Sequence, residues 1–185
     1  MLVSSVRYSR WIATQFLIAA LAFPLNSQAQ TFIQSPNQAF AIDLDTRDGA
    51  FSSWDNNDLG PISGLRATIQ VSRIGKDNKW LPYFLIYVKT SDGGFGLALE
   101  ADNWKPPVMV YTYSKSKKAE KIGLLNVDEK TNIQMDWSKT GTLIVRLGND
   151  MVRELPLSTP ITGLRVSAST GELTLSSIAL GQFAR

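Results

Sequence analysis

Apolar and polar residues alternate with a period of two through most of this chain. The segment 64–74 sets Leu65, Ala67, Ile69 and Val71 against Arg66, Thr68, Gln70 and Ser72, the pattern of a half-buried strand. Gln38–Asp45 alternates likewise, with Phe40, Ile42 and Leu44 on one side. Trp80–Thr90 is apolar on both faces, Phe84, Ile86 and Val88 opposing Leu81, Tyr83, Leu85 and Tyr87, so it is expected at the centre of a sheet. Further strands are predicted at Phe95–Asp102, Val108–Ser114, Ile122–Val127, Thr131–Ser138, Thr142–Leu147, Met151–Leu157, Thr162–Ala168 and Glu172–Leu180. Ser91-Asp92-Gly93-Gly94, Lys139-Thr140-Gly141, Gly148-Asn149-Asp150 and Ser169-Thr170-Gly171 read as hairpin turns, and Asp48-Gly49 as a further break. No window after residue 30 repeats apolar positions at helical spacing between caps. About eleven strands joined by short turns predict an antiparallel sandwich or barrel, all-β, in a single domain over 38–185.

The first residues follow a different rule. Arg7 and Arg10 precede an uncharged, mostly apolar run from Trp11 to Phe23, Pro24 breaks it, and Ser27-Gln28-Ala29 supplies a small–x–small site. The run is shorter than the roughly 20 residues of a membrane span, so 1–29 is expected to be a signal peptide cleaved after Ala29. Residues 30–37 read as a flexible lead. No later stretch is long and apolar enough to span a bilayer, and the product is expected in the periplasm or outside the cell.

Removing the signal changes the charge picture. The whole chain carries +3; without Arg7 and Arg10 it holds 17 basic against 16 acidic side chains, or +1. No electrostatic case for nucleic acid remains. The cluster Lys115-Ser116-Lys117-Lys118 reads as a solvated turn. The chain has neither cysteine nor histidine, which excludes thiolate or imidazole zinc sites, Ser–His and Cys nucleophile systems and a histidine base. The roughly 155 residues that remain are enough to form a core without disulfides.

Thr131–Gly181 carries a resemblance. A strand ending in Trp137, a turn at Gly141, a second strand closed by Gly148-Asn149 and a late Ile178-Ala179-Leu180-Gly181 resemble part of the concanavalin A-like lectin and glucanase superfamily, including its laminin-G-like domains. The resemblance covers about a third of the residues after 29, and implies a jelly-roll sandwich of the kind that often binds or cleaves polysaccharides. It does not bring an activity with it. The Glu-x-Asp-x-Glu strand of the β-glucanases is absent. The histidines that alginate lyases use in catalysis and legume-type lectins use in their metal sites are absent too.

The candidate chemistry is therefore carboxylates and aromatics. Glu100 and Asp102, spaced i, i+2, would share a strand face and are the nearest thing to a glycosidase-like pair. The plainer reading is two solvated acids, and Asp43/Asp45 repeats the spacing with less around it. If the strands at 80–90, 95–102 and 108–114 are neighbours, Tyr83, Tyr87, Tyr111, Tyr113, Glu100 and Asp102 line one open face with Trp104 at its edge, and Gly94, Gly96 and Ala98 let a flat ligand approach the backbone. Aromatic faces beside polar groups suit sugars. The competing reading is cross-strand pairing that only stabilises the sheet. Trp137 and Trp80 are expected in the core or its rim. No cofactor is called for: the loop of Trp54 and Asp55–Asp58 offers oxygens for calcium, but without the spacing of a recognised calcium loop. The reading is an exported, non-catalytic binding module for a glycan or a cell-envelope protein. The alternatives are a carboxylate-pair carbohydrate enzyme, or an assembly protein using a strand edge.

Overall fold

The computed structural model describes residues 32–34, 40–77, 79–149, 151–157 and 159–183, and the expected signal peptide lies outside them. Eleven strands carry the described chain: β1 (Phe32–Gln34), β2 (Phe40–Asn56), β3 (Gly64–Ile74), β4 (Tyr83–Thr90), β5 (Gly93–Ala101), β6 (Val108–Ser114), β7 (Lys117–Leu125), β8 (Thr131–Asp136), β9 (Thr142–Leu147), β10 (Met151–Pro156) and β11 (Ile161–Phe183). One 3₁₀ turn, Asp102–Trp104, follows β5. No helix among the described residues is long and apolar enough to cross a membrane.

All pairings are antiparallel, and the strands follow the order β10-β9-β8-β3-β11-β4-β5-β6-β7, with β1 and β2 on the other side of β11. The ladder folds on itself at β11. Its first half pairs with β4 and with Phe51–Asn56 of β2; its second half pairs with β3 and with Phe40–Thr46. Two layers result, and the far ends of the order meet again. Arg153 of β10 grips Glu120 of β7, and Leu147 of β9 packs close over Gly123 of β7. This is the all-β, antiparallel, jelly-roll sandwich that the strand pattern and the resemblance predict.

Period-two burial builds the core. Phe84, Ile86 and Val88 of β4 and Phe95, Leu97 and Leu99 of β5 are fully buried, as are Leu65, Ile69 and Val71 of β3, Met135 of β8 and Val145 of β9. Each such side chain contributes roughly 1.5–3 kcal/mol of burial free energy. The strand expected to be central is central: β4 lies between β11 and β5.

Three expectations need correction. Ser169-Thr170-Gly171 is not a hairpin turn, and Asp48-Gly49 does not end a strand. At both points one strand passes from one layer to the other, marked by register shifts and by positive φ at Thr170 (55°) and Gly49 (74°). The corner is held by long-range bonds. The Gly49 N–H donates to Thr170 Oγ1 at 3.2 Å, and the Gly75 N–H donates to the Thr170 carbonyl at 2.9 Å. Gly171 is needed there, since a Cβ would lie 2.6 Å from the Arg73 carbonyl oxygen and 2.8 Å from the Phe84 ring. A local turn motif and a buried strand corner use the same residue types, so the sequence pattern alone does not separate them. Third, part of the segment expected as a flexible lead is a strand, β1 pairing with Gly181–Phe183.

Candidate functional site

The outward face of the layer made by β2, β11, β4, β5, β6 and β7 consists of three cross-strand rows. At one end run Phe51, Ser169, Tyr83, Glu100, Met109 and Leu124. In the middle run Ser53, Ser167, Leu85, Ala98, Tyr111 and Lys121. At the far end run Asp55, Arg165, Tyr87, Gly96, Tyr113 and Lys118. Thus Tyr83, Tyr87, Tyr111, Tyr113 and Glu100 do share one face, while their surroundings differ sharply along it.

The far end is filled by its own side chains. The Tyr87 and Tyr113 rings sit 5.3 Å apart at 48°, and Tyr113 is only 8% exposed. They cover Gly94, one of the glycines expected to admit a ligand: a Cβ there would stand 2.4 Å from the Tyr87 ring and 2.9 Å from that of Tyr113. Burial raises the Tyr113 phenol above its usual value. Beside them Asp55 accepts from Arg165 Nε and Lys89 Nζ, both at 2.8 Å. The bond from Arg165 is the main reason the Asp55 carboxyl stays below the usual carboxylate range, against the opposing effect of burial. Two cations thus occupy the carboxylate that the calcium reading required. The Asp58 N–H closes a local turn on Asn56 Oδ1, and Trp54 stands on β2 rather than in a loop. No group of three or more metal-binding side chains forms among the described residues.

In the middle, Lys118 Nζ lies 4.5 Å above the Tyr111 ring and donates to Glu100 Oε2 at 2.5 Å. That bond is the first cause of the raised Lys118 pKa. The Tyr111 hydroxyl donates to Met109 Sδ at 3.4 Å. Only Lys115 and Ser116 of the expected solvated lysine turn form the turn itself; Lys117 and Lys118 begin β7.

The near end is open. Phe51, Trp80, Leu81, Tyr83, Glu100 and Ser169 are among the residues around a cavity of about 570 Å³. A second hollow, of about 810 Å³, is bordered by Asp102, Trp104, Lys105, Met109, Lys121 and Leu124, with Lys76 also on its wall. Glu100 and Met109 are register partners, so the hollows adjoin along one row. Phe51 (64%), Trp80 (59%), Leu124 (51%) and Leu81 (43%) are the exposed large apolar side chains among the described residues, and every one lines one of these two hollows. Exposed apolar groups gathered at one place mark a contact surface. Burial, with Tyr113 and Glu100 adding to it, pushes the Tyr83 phenol to about 12, so it remains a neutral hydrogen-bonding group there.

Several sequence expectations change at this end. β5 stops at Ala101 and Asp102 begins the 3₁₀ turn, with Asn103 and Trp104 at positive φ, so the Glu100/Asp102 pair is not two acids on one strand face. Glu100 stands in the first hollow, bound to Lys118, whereas Asp102 borders the second. Asp45 is taken up by Arg73 at 2.9 Å and Asp43 accepts from Thr174 Oγ1 at 3.1 Å. Trp137 packs against the core as expected and donates from Nε1 to the Ile62 carbonyl at 2.9 Å. Trp80 does not: β4 begins at Tyr83, leaving Trp80 in an exposed connection. Leu124 points outward because a register shift in β7 places Gly123 and Leu125 opposite the core residues Val110 and Val108. The one signal for Phe51 is an aromatic ring in a run, Arg47–Ser53, that is otherwise small or polar.

The sequence matches no protein-family model and no curated protein. Solved structures are similar in fold. A functionally unknown protein from Saccharomyces cerevisiae aligns with TM-score 0.53 and 13% identity over 85% of this chain and 98% of that one. A fructosyltransferase from A. japonicus aligns with TM-score 0.52 and 8% identity over 85% of this chain but only 27% of its own. At such identities the likeness is one of fold.

Proposed function

We propose that this protein is an exported, non-catalytic module that binds a glycan across the open end of its outward sheet face. The observation that carries this reading is the convergence of Phe51, Trp80, Leu81 and Leu124 on two adjoining hollows that also hold polar groups. Sugar rings present apolar C–H faces to aromatic and aliphatic side chains and hydroxyls to polar ones. Here the Tyr83 hydroxyl, the Glu100 carboxylate, Ser169 and Asp102 supply the polar groups. Glu100 is tied to Lys118, and Asp102 has left the strand, so the pair favours hydrogen bonding over acid–base catalysis. Export is the reading supported by the pattern of residues 1–29.

The test is depletion of the purified protein on a panel of insoluble and immobilised polysaccharides, followed by the Trp80→Ala variant on whichever binds. Retention of the native protein with loss of retention in the variant supports the reading. Absence of retention on every glycan, or equal retention by both proteins, overturns it.

A further inference from the structure

The two hollows differ in charge. The first, around Phe51, Trp80, Leu81 and Tyr83, is mostly apolar, with Lys79 and the Lys118-bound Glu100 as its charged groups. The second is bordered by three ammonium groups, Lys76, Lys105 and Lys121, against one carboxylate, Asp102. Among the described residues, the ion pairs formed within 4.0 Å involve none of these three lysines. Other cations of this layer's outward face are committed: Lys89 and Arg165 to Asp55, and Lys118 to Glu100. Unpaired lysines collected in one concavity of a nearly neutral protein raise the local concentration of anions there.

We propose that the ligand is an acidic polysaccharide built of uronate sugars, with ring faces lying against Phe51 and Trp80 and carboxylates directed to Lys76, Lys105 and Lys121. This deepens the glycan reading and rests on it. The adjoining hollows require a ligand that is apolar on a ring face and anionic at its neighbour, and a uronate chain alternates those features along its length. The cationic hollow is bordered by lysines and by no arginine. Arginine's planar fork is the usual means of gripping the several oxygens of phosphate or sulfate, whereas separated ammonium groups suit single carboxylates spaced along a chain.

The experiment compares retention of the signal-free protein on polygalacturonate with retention on the same polymer after full methyl esterification, which keeps the backbone and removes the charge. Dextran sulfate serves as the unrelated polyanion. The expected result is binding to polygalacturonate that falls roughly tenfold on esterification or at high salt. The double variant Lys105→Gln/Lys121→Gln should lose affinity by a similar factor, while Lys139→Gln, in a different hollow beside Trp137, should not. Both lysines of the double variant are exposed, so its fold, checked by circular dichroism, is expected to be unchanged. Equal binding of the esterified polymer overturns the acidic assignment and leaves the glycan reading standing. Equal binding of dextran sulfate, or an unaffected double variant, also overturns it. Failure to bind any neutral or acidic polymer overturns both.

Discussion

The two ends of one sheet face are built from the same kinds of residue and do opposite things. At the far end, aromatic rings close over Gly94 and the charges are paired: Tyr87 and Tyr113 tilt together, and Asp55 sits between Lys89 and Arg165. At the near end Phe51 and Trp80 stand more than half exposed, and Lys76, Lys79, Lys105 and Lys121 have no acidic partner among the described residues. The same composition therefore serves packing in one place and presentation in the other. What separates them is whether the groups needed to satisfy each ring and charge stand within the sheet itself.

The largest effect that would break this contrast is at the closed end. Tyr113→Ala removes a nearly buried ring and is expected to cost about 3 kcal/mol of stability, read as a fall in the denaturant midpoint. A loss below about 1 kcal/mol would mean that the rings are not packing groups. Next, Trp80→Ala should weaken ligand binding by roughly tenfold, about 1.4 kcal/mol, while leaving stability within about 0.5 kcal/mol. A stability loss as large as that of Tyr113→Ala would erase the distinction between the ends.

The Asp55 cluster predicts a smaller, pH-dependent effect. Its carboxyl pKa is lowered in the folded state, chiefly by Arg165, so its contribution is complete above the unfolded carboxylate value and is lost as pH falls through the folded one. Asp55→Asn should reduce stability at neutral pH by about 1 kcal/mol, a figure held down by the partial exposure of the cluster, and the deficit should shrink in acid. A deficit independent of pH would assign the loss to packing. The smallest signal is spectroscopic. Tyr83 should ionise at about 12, and the tyrosinate absorbance should lose that late step in Tyr83→Phe. Because the folded value is raised, the associated stability is present below the unfolded tyrosine value and lost as pH rises through about 12.

The fold was legible because a sandwich depends on alternation, and alternation is written in residues such as Leu65, Ala67, Ile69 and Val71. The tyrosines and Glu100 were placed on a common face by the same rule. The open end was legible only in part. Trp80 reads as a strand residue because Leu81 and Tyr83 continue its alternation, yet the strand starts at Tyr83. Leu124 falls within the strand expected at Ile122–Val127, whose pattern does not say which way it faces, and a register shift in β7 sends it outward. Asp102 reads as the next tooth of β5, and a turn with two positive-φ residues removes it. In each case the deciding event is where a strand starts, ends or shifts register, which alternation along the chain does not specify.

The shared strand has a consequence for how this molecule comes apart. Since β11 runs through both layers, neither can melt and leave the other whole; pulling apart its pairing with β4 also frees the corner that β3 leans on. Unfolding should proceed in one concerted step, and a ligand held on one layer would be felt as heat resistance by the entire molecule.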